Sequence, residues 1–444
     1  MVGGMKMSAG RLSLLAAAGF LLVGGTSAQA ADFGGDCCAD LEERIAELEA
    51  TTARKGNRKV SLEVYGQINE AMAWWDDGLE DNVYLYTNDT SRTRIGFKGK
   101  AKISDDLYAG YRLELGIRTV DQGEVNANTS RGWSSSNPGG FDLRHSYWFL
   151  GSKTYGEVLM GETSMSHDGI TQMQTANIGH FANPDIIDNN DSFGIVSGLT
   201  RSSNWDSISQ VFEPGEGSRG AIVRYNTPEI AGFMASAHWG EDDIWGMALT
   251  YAGELGAFEV EAGIGYGEMT LRDEECTEVT VVGGIKSDCQ EYGMSLSVMH
   301  NPSGIFVTGA YGKRIDHGRA DRLAVAGYAA DEDLQFWHIQ AGIEQKWTPL
   351  GKTTVFGGYQ DRDSGMPVND DGGALITYNG NNVISSNIEM WEVGVNQQLE
   401  AAAMDLYLHY KHYDAELVTD VGGAATAVST EPFQTLIGGA RIKF

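Results

Sequence analysis

The sequence predicts an all-β chain, a 16-stranded antiparallel transmembrane β-barrel preceded by a short helical segment, on three observations. Apolar and aromatic residues recur at every second position in windows of roughly eight to fifteen residues, the period at which a strand places alternate side chains on opposite faces. Sixteen such windows occur, an even number. The connections alternate between short turns and mostly long polar loops, which sorts the two rims of a barrel and has no reason to arise in a sandwich. Composition agrees, because 58 Gly and 10% aromatics in 444 residues suit a fold of many tight turns.

The first element is a targeting signal. Lys6 and Arg11 precede the apolar run 12–23, and Ala28-Gln29-Ala30 offers small residues for cleavage before Ala31, so residues 1–30 read as a signal peptide. Removing them deletes those two bases and no acid, which leaves 30 basic against 61 acidic side chains, a charge of −31 in place of −29. Such a chain repels phosphate backbones, and nucleic acid is excluded as a partner. Beyond this segment no run reaches the ~20 apolar residues of a spanning helix.

Residues 31–58 form a second region, expected on the periplasmic side. Leu41, Ile45 and Leu48 are spaced by four and three among Glu and Arg, a coiled-coil seam. The seam is short, so the helix needs neighbours, and copies side by side on an oligomer supply them. The competing reading is an acidic linker.

The barrel domain is 59–444, with strands near 59–75, 90–103, 107–119, 142–151, 155–162, 219–227, 231–240, 244–253, 256–268, 291–301, 304–314, 334–348, 352–362, 387–400, 402–414 and 432–444. In 91–103, Ile95 and Phe97 share one face while Arg92, Arg94, Lys98 and Lys100 share the other. In 108–118, Tyr111, Leu113, Leu115 and Ile117 oppose Arg112, Glu114 and Arg118. Long loops are expected at 119–141, 269–290, 315–333, 363–386 and 415–431, and 241–243 is the short exception. Trp239, Trp245, Tyr251, Phe258, Tyr266, Trp337, Trp347, Phe356, Tyr359, Trp391, Tyr407 and Tyr410 stand in or at the ends of strands, where interface girdles belong. In the last strand Leu436, Ala440, Ile442 and Phe444 share a face, and a terminal aromatic there resembles the signal read by the barrel-insertion machinery.

Arg94-Ile95-Gly96-Phe97-Lys98-Gly99 resembles a segment of the general diffusion porins of Gram-negative bacteria, and 150–161 resembles the strand, turn and strand before their constriction loop. Cys37-Cys38-Ala39-Asp40-Leu41-Glu42-Glu43-Arg44 resembles the mature N-termini of the alphaproteobacterial type. The resemblance implies an outer-membrane homotrimer that passes small hydrophilic solutes and ions by diffusion, set among lipid and lipopolysaccharide, with no cofactor or metal. It also implies that segment 163–218 folds inward and narrows the pore. Its acids Asp168, Asp185, Asp188 and Asp191 would then face Arg94 and its face-mate Arg92. Strand parity and position add Arg112, Arg144 and Arg219 to that basic wall. Opposed charges across a narrow wet passage orient polar solutes and exclude apolar ones.

Cys276 and Cys289 flank twelve residues of an expected outer loop, and in an exported protein they suggest a disulfide. Adjacent Cys37 and Cys38 suit links between subunits at the coiled coil better than a bond to each other. Gly215-Glu216-Gly217-Ser218-Arg219-Gly220 matches a dinucleotide fingerprint by letters, but it leads into a strand rather than a helix. No nucleophile or metal motif points to an enzyme. Two other roles remain open: a substrate-selective channel, and a structural tether that holds the envelope to peptidoglycan through the N-terminal coiled coil.

Overall fold

The computed structural model describes residues 59–129, 140–209, 214–240, 243–269, 288–317, 333–365 and 376–444. The coiled-coil residues Leu41, Ile45 and Leu48, together with Cys37, Cys38 and Cys276, lie outside them. Among the described residues no helix is long and apolar enough to cross a membrane, and almost every ordered element is a strand.

Sixteen wall strands run in chain order. They are β1 (Glu63–Asp76), β2 (Arg94–Lys102), β3 (Leu107–Arg118), β4 (Gly140–Ser152), β5 (Gly156–Ser164), β6 (Arg219–Asn226), β7 (Phe233–Gly240) and β8 (Trp245–Leu255). The second half comprises β9 (Phe258–Met269), β10 (Cys289–His300), β11 (Ile305–Asp316), β12 (Asp333–Thr348), β13 (Gly351–Gly365), β14 (Asn381–Leu399), β15 (Met404–Val421) and β16 (Phe433–Lys443). Each pairs antiparallel with the next. The sheet closes where β1 pairs with β16, from Gln67↔Lys443 to Asp76↔Gln434, while the start of β1 pairs with β2. Closure removes the open edges, so no wall strand leaves a row of backbone groups unpaired in lipid.

Burial is inverted relative to a soluble protein. Met247, Ile264, Leu296, Ile305, Ile339, Val393 and Leu408 are exposed on the outer face. Ser297, Thr308, Gln340, Thr354, Glu392 and His409 are buried on the inner one. A sheet with a greasy outside and a polar inside is stable only with hydrocarbon around it and water or polar groups within.

The structure corrects three expectations. The loop expected at 415–431 is largely strand, since β15 continues to Val421 and turns back through 424–429. Likewise β14 starts at Asn381, inside the expected 363–386 loop. Cross-strand hydrogen bonding carries these hairpins outward past the point where the apolar alternation weakens. Of the expected girdle aromatics, Trp239, Trp337, Trp347 and Trp391 are exposed on the outside, but Phe356 and Tyr407 are buried in the lumen. Period-two parity points them inward, and there they meet Phe181 of the inserted loop, which stacks on Tyr407 at 4.6 Å.

Candidate functional site

The wall between β1 and β6 carries a cluster of arginines around one carboxylate. Parity aims Arg94, Arg112 and Glu114 inward from β2 and β3, and a β-bulge adds Arg144. Glu114 pairs with His145 and Leu115 with Leu143, so Arg144 is the extra residue. Phe141 and Leu143 point outward before the bulge and Trp148 and Leu150 after it. The outward positions thus change from odd to even, and Arg144 and His145 both turn into the lumen.

Glu114 has no exposed side-chain surface. It receives Arg112 Nη2 at 2.7 Å, Arg144 Nε at 2.9 Å and the Tyr65 hydroxyl at 2.9 Å, with Arg94 Nη1 at 3.6 Å. Arg112 Nε also donates to the Tyr65 oxygen at 2.7 Å. Charge-assisted bonds of this kind hold guanidinium groups in fixed orientations. Arg92 is neutralised beside them, 2.8 Å from Asp89 and 2.8 Å from Asp142.

The described residues of segment 163–218 lie inside the barrel and are sewn along the wall rather than strung across it. His167 enters a niche where added Cβ atoms at Gly246, Gly265 or Gly267 would strike it, and its ring stacks on His238 at 5.6 Å. Burial holds His167 down at about 3, so it is neutral at physiological pH. Further along, Met173 N donates to Ser295 Oγ at 3.2 Å, Thr175 N to Ser297 Oγ at 3.0 Å and Asn177 N to Glu344 at 2.9 Å. Asn177 Nδ2 reaches Asp405 at 2.7 Å, and Asn69 Nδ2 reaches the His180 carbonyl at 3.4 Å. Burial lowers His180 to about 3 as well.

The second half of the segment is held by apolar packing. Ile186, Ile187, Phe193, Ile195, Trp205 and Ile208 form one core with Trp75, Met390, Tyr413 and Phe433 of the wall and with Tyr84 of the strand Asp81–Thr87 that folds back on β1. The segment has structure of its own, a hairpin (Gly194–Ser197 with Thr200–Asn204) and a short helix (Trp205–Ser209).

A polar cavity of about 530 Å³ is left between this segment and the arginine wall. Arg92, Arg144, Arg219 and Arg314 line it together with Asp89, Asp168, Asp185, Asp188 and Glu216. Asp168 is close enough to feel Arg219 and Arg144, and burial raises its carboxyl above the ordinary range. Asp185 and Asp188 hydrogen-bond to each other. Desolvation and, for Asp185, the neighbouring carboxylate push both above the ordinary carboxyl range. Asp188 also accepts from Thr90 Oγ1 at 2.6 Å.

Of the residues named from sequence, Arg92, Arg144, Arg219, Asp168, Asp185 and Asp188 thus meet at one cavity, and Arg94 and Arg112 stand behind it on Glu114. Asp191 does not join them. Burial, with the neighbouring Asp206, Asp188 and Asp121, raises it well above the usual carboxylate range. Cys289 opens β10 and is fully buried. Sequence reasoning overlooked Glu114 as the hub, though parity already put it beside Arg112. It also overlooked Asp89 and Glu216, whose only signal was loop position, and Arg314, which strand parity already put on the inward face of β11. No group of three or more His, Cys, Asp or Glu suited to a metal is found among the described residues.

Comparison with known proteins agrees with this architecture. The Gram-negative porin family matches residues 14–427. Outer membrane protein U of Vibrio cholerae serotype O1, in strains O395 and N16961, is 26% identical over 285 residues, covering 62% of this chain and 63% of the relative. The chain therefore spans just under two thirds of the length of those curated relatives. An anion-selective porin from Comamonas acidovorans superposes with a TM-score of 0.53 at 16% identity, over 87% of this chain and 100% of that one. In-vitro folded OmpT of Vibrio cholerae gives 0.50 at 13% identity, over 88% and 99%. At such identities the solved structures speak for the fold. The family match spans nearly the whole chain, and the protein belongs to the Gram-negative porins of the outer membrane.

Proposed function

We propose that the protein forms a water-filled channel for passive diffusion of small hydrophilic solutes and ions. The observation that carries this reading is a closed, polar-lined barrel narrowed on one side by a firmly anchored inward loop, with charges of both signs facing across the remaining passage. Arg92, Arg144 and Arg219 form its basic wall, with Arg94 and Arg112 behind them on Glu114. Asp168 and the Asp185–Asp188 pair form the acidic side, and Asp191 serves loop packing.

Four guanidinium groups and five carboxyl groups line the cavity there, and burial raises Asp185 and Asp188 above the ordinary carboxyl range. The narrow section is thus near charge balance although the whole chain is strongly acidic. Field lines are confined in the passage, while exposed loop charge is screened within about 8 Å at physiological salt. This balance favours a weakly selective general channel over a substrate-selective one, and over an enzyme. Planar-bilayer recording of purified protein tests it. Conductance that scales with bulk salt and a small zero-current potential in a salt gradient are expected, with Arg144→Ala shifting that potential toward cations. A folded barrel without conductance would sink the proposal.

Other assignments belong to the same reading. The channel is a homotrimer, with the 31–58 segment on its periplasmic side. Its outer wall meets lipid and lipopolysaccharide, and Phe444 is offered to the insertion machinery. Cys289 bonds to Cys276. The alphaproteobacterial type rests on residues 37–44 alone.

A further inference from the structure

We propose that Glu216 is a positioning residue for the constriction, setting the place of Asp168 in the passage and through it the bore and ion preference; this rests on the channel reading above. Glu216 sits on the returning end of the inserted segment and gathers the departing end. Its Oε2 accepts from Gly169 N at 3.1 Å and from Gln172 Nε2 at 3.0 Å. Its Oε1 accepts from Thr171 N at 2.6 Å and from Thr171 Oγ1. The carboxylate is 4% exposed. A buried carboxylate holding four donors fixes them far more firmly than solvent would, since releasing any of them leaves charge unsatisfied.

The donors are the residues immediately following Asp168. The turn they form is closed by Asp168 N donating to the Met165 carbonyl at 3.3 Å and Gln172 N to the Gly169 carbonyl at 3.1 Å. Glu216 is itself seated from the wall. The backbone at Pro214–Gly215 lies so close to β10 and β11 that a Cβ on Gly293 would collide with the Gly215 carbonyl, and one on Gly312 with the Pro214 carbonyl. Placement therefore passes from two wall glycines to the returning chain at 214–215, through Glu216 to the 168–172 turn, and ends at a carboxyl close to Arg219 and Arg144. The two ends of the segment thus meet at Glu216, beside the bond from Met165 N to the Ser218 carbonyl at 3.0 Å.

The test compares two substitutions of Glu216 that separate position from charge. Glu216→Asp keeps the charge but is one methylene too short to hold all four donors. Single channels of Glu216→Asp are expected to show a larger step and more open-channel noise. Their zero-current potential should move toward anions by about half or more of the shift caused by Asp168→Asn, because the acid it places is no longer held in the passage. In an Asp168→Asn background, Glu216→Asp should add no further shift in that potential. Thr171→Val should reproduce the noise in milder form. A silent Glu216→Asp beside an active Glu216→Gln would show that Glu216 acts as a lining charge, and would overturn the proposal. So would shifts that add in full to those of Asp168→Asn. Heat-modifiable migration of each variant confirms a folded barrel, and lost thermal stability with wild-type conductance and potential would mark a merely structural clasp. Failure of the wild-type protein to conduct would count against the channel reading instead.

Discussion

Asp185 and Asp188 show how burial sets the behaviour of single residues inside a wet barrel. Each is raised by desolvation, Asp185 the more because a second carboxyl lies against it. A folded-state carboxyl raised above its unfolded value contributes stability that is present at low pH and lost as pH rises through the shifted pKa. The loop around Ile186 and Ile187 should therefore be held most firmly in mild acid and loosen toward alkaline pH. Asp185→Asn keeps the hydrogen bond to Asp188 without the second charge. Hydrogen exchange at 185–191 is expected to quicken with pH, beyond the intrinsic rate, more in wild type than in this variant. An equal response in both would remove the pair as the cause.

The same scale shows what parity can and cannot tell. Arg94, Arg112 and Glu114 could be placed on one face from alternation alone. Arg144 reaches Glu114 only because a bulge inserts it, and no residue type at 142–146 announces a bulge. Asp191 was indistinguishable from Asp185 and Asp188 in sequence, since all three are loop acids a few positions apart. Only the path of the chain sent one away from the cavity.

Among the elements, the inserted segment depends on two different kinds of bonding. Its first half is tied by polar bonds and by close approach to glycines, its second by an apolar core. Gly312→Ala should force the Pro214–Gly215 backbone off the wall, at a cost of about 1–3 kcal/mol for an overpacked site, and alter the conductance step while the barrel still forms. Trp205→Ala empties a position at 1% exposure and should destabilise the tip of the segment by about 3–5 kcal/mol. Proteolysis of folded protein within 193–209 would read that loss, and unchanged protection would show that the core is not what holds the tip.

The wall strands were legible for an elementary reason. One face must suit hydrocarbon and the other water, so the alternation cannot be relaxed without exposing a charge to lipid. The inserted segment carries no such periodicity. Its apolar residues, Ile186, Ile187, Phe193 and Ile195, follow a shape set by strands distant in sequence, and a long polar loop is what they resemble when read alone.

For the molecule as a whole, the question is which part of the charge matters. Deleting 31–58 from the mature chain should leave single-channel conductance and zero-current potential unchanged, because the passage lies in the barrel. Altered envelope integrity in cells carrying the deletion would show a tether in addition to transport. A changed zero-current potential would show that charge outside the barrel reaches the passage after all.

From sequence alone came the all-β class, sixteen strands in order, short turns at one rim, and a basic inner face at Arg92, Arg94 and Arg112, because strand alternation and turn chemistry are local rules. The tertiary structure decided which of those charges meet. It joined Arg144 and Glu114 through a bulge, paired Asp185 with Asp188, withdrew Asp191, and turned Phe356 and Tyr407 from the membrane interface to the loop. The last of these, and the seating of the whole segment, depend on contacts between residues more than a hundred positions apart, as Phe181 and Tyr407 or Asn177 and Asp405 are, and on the space that wall glycines leave for a chain to lie against them.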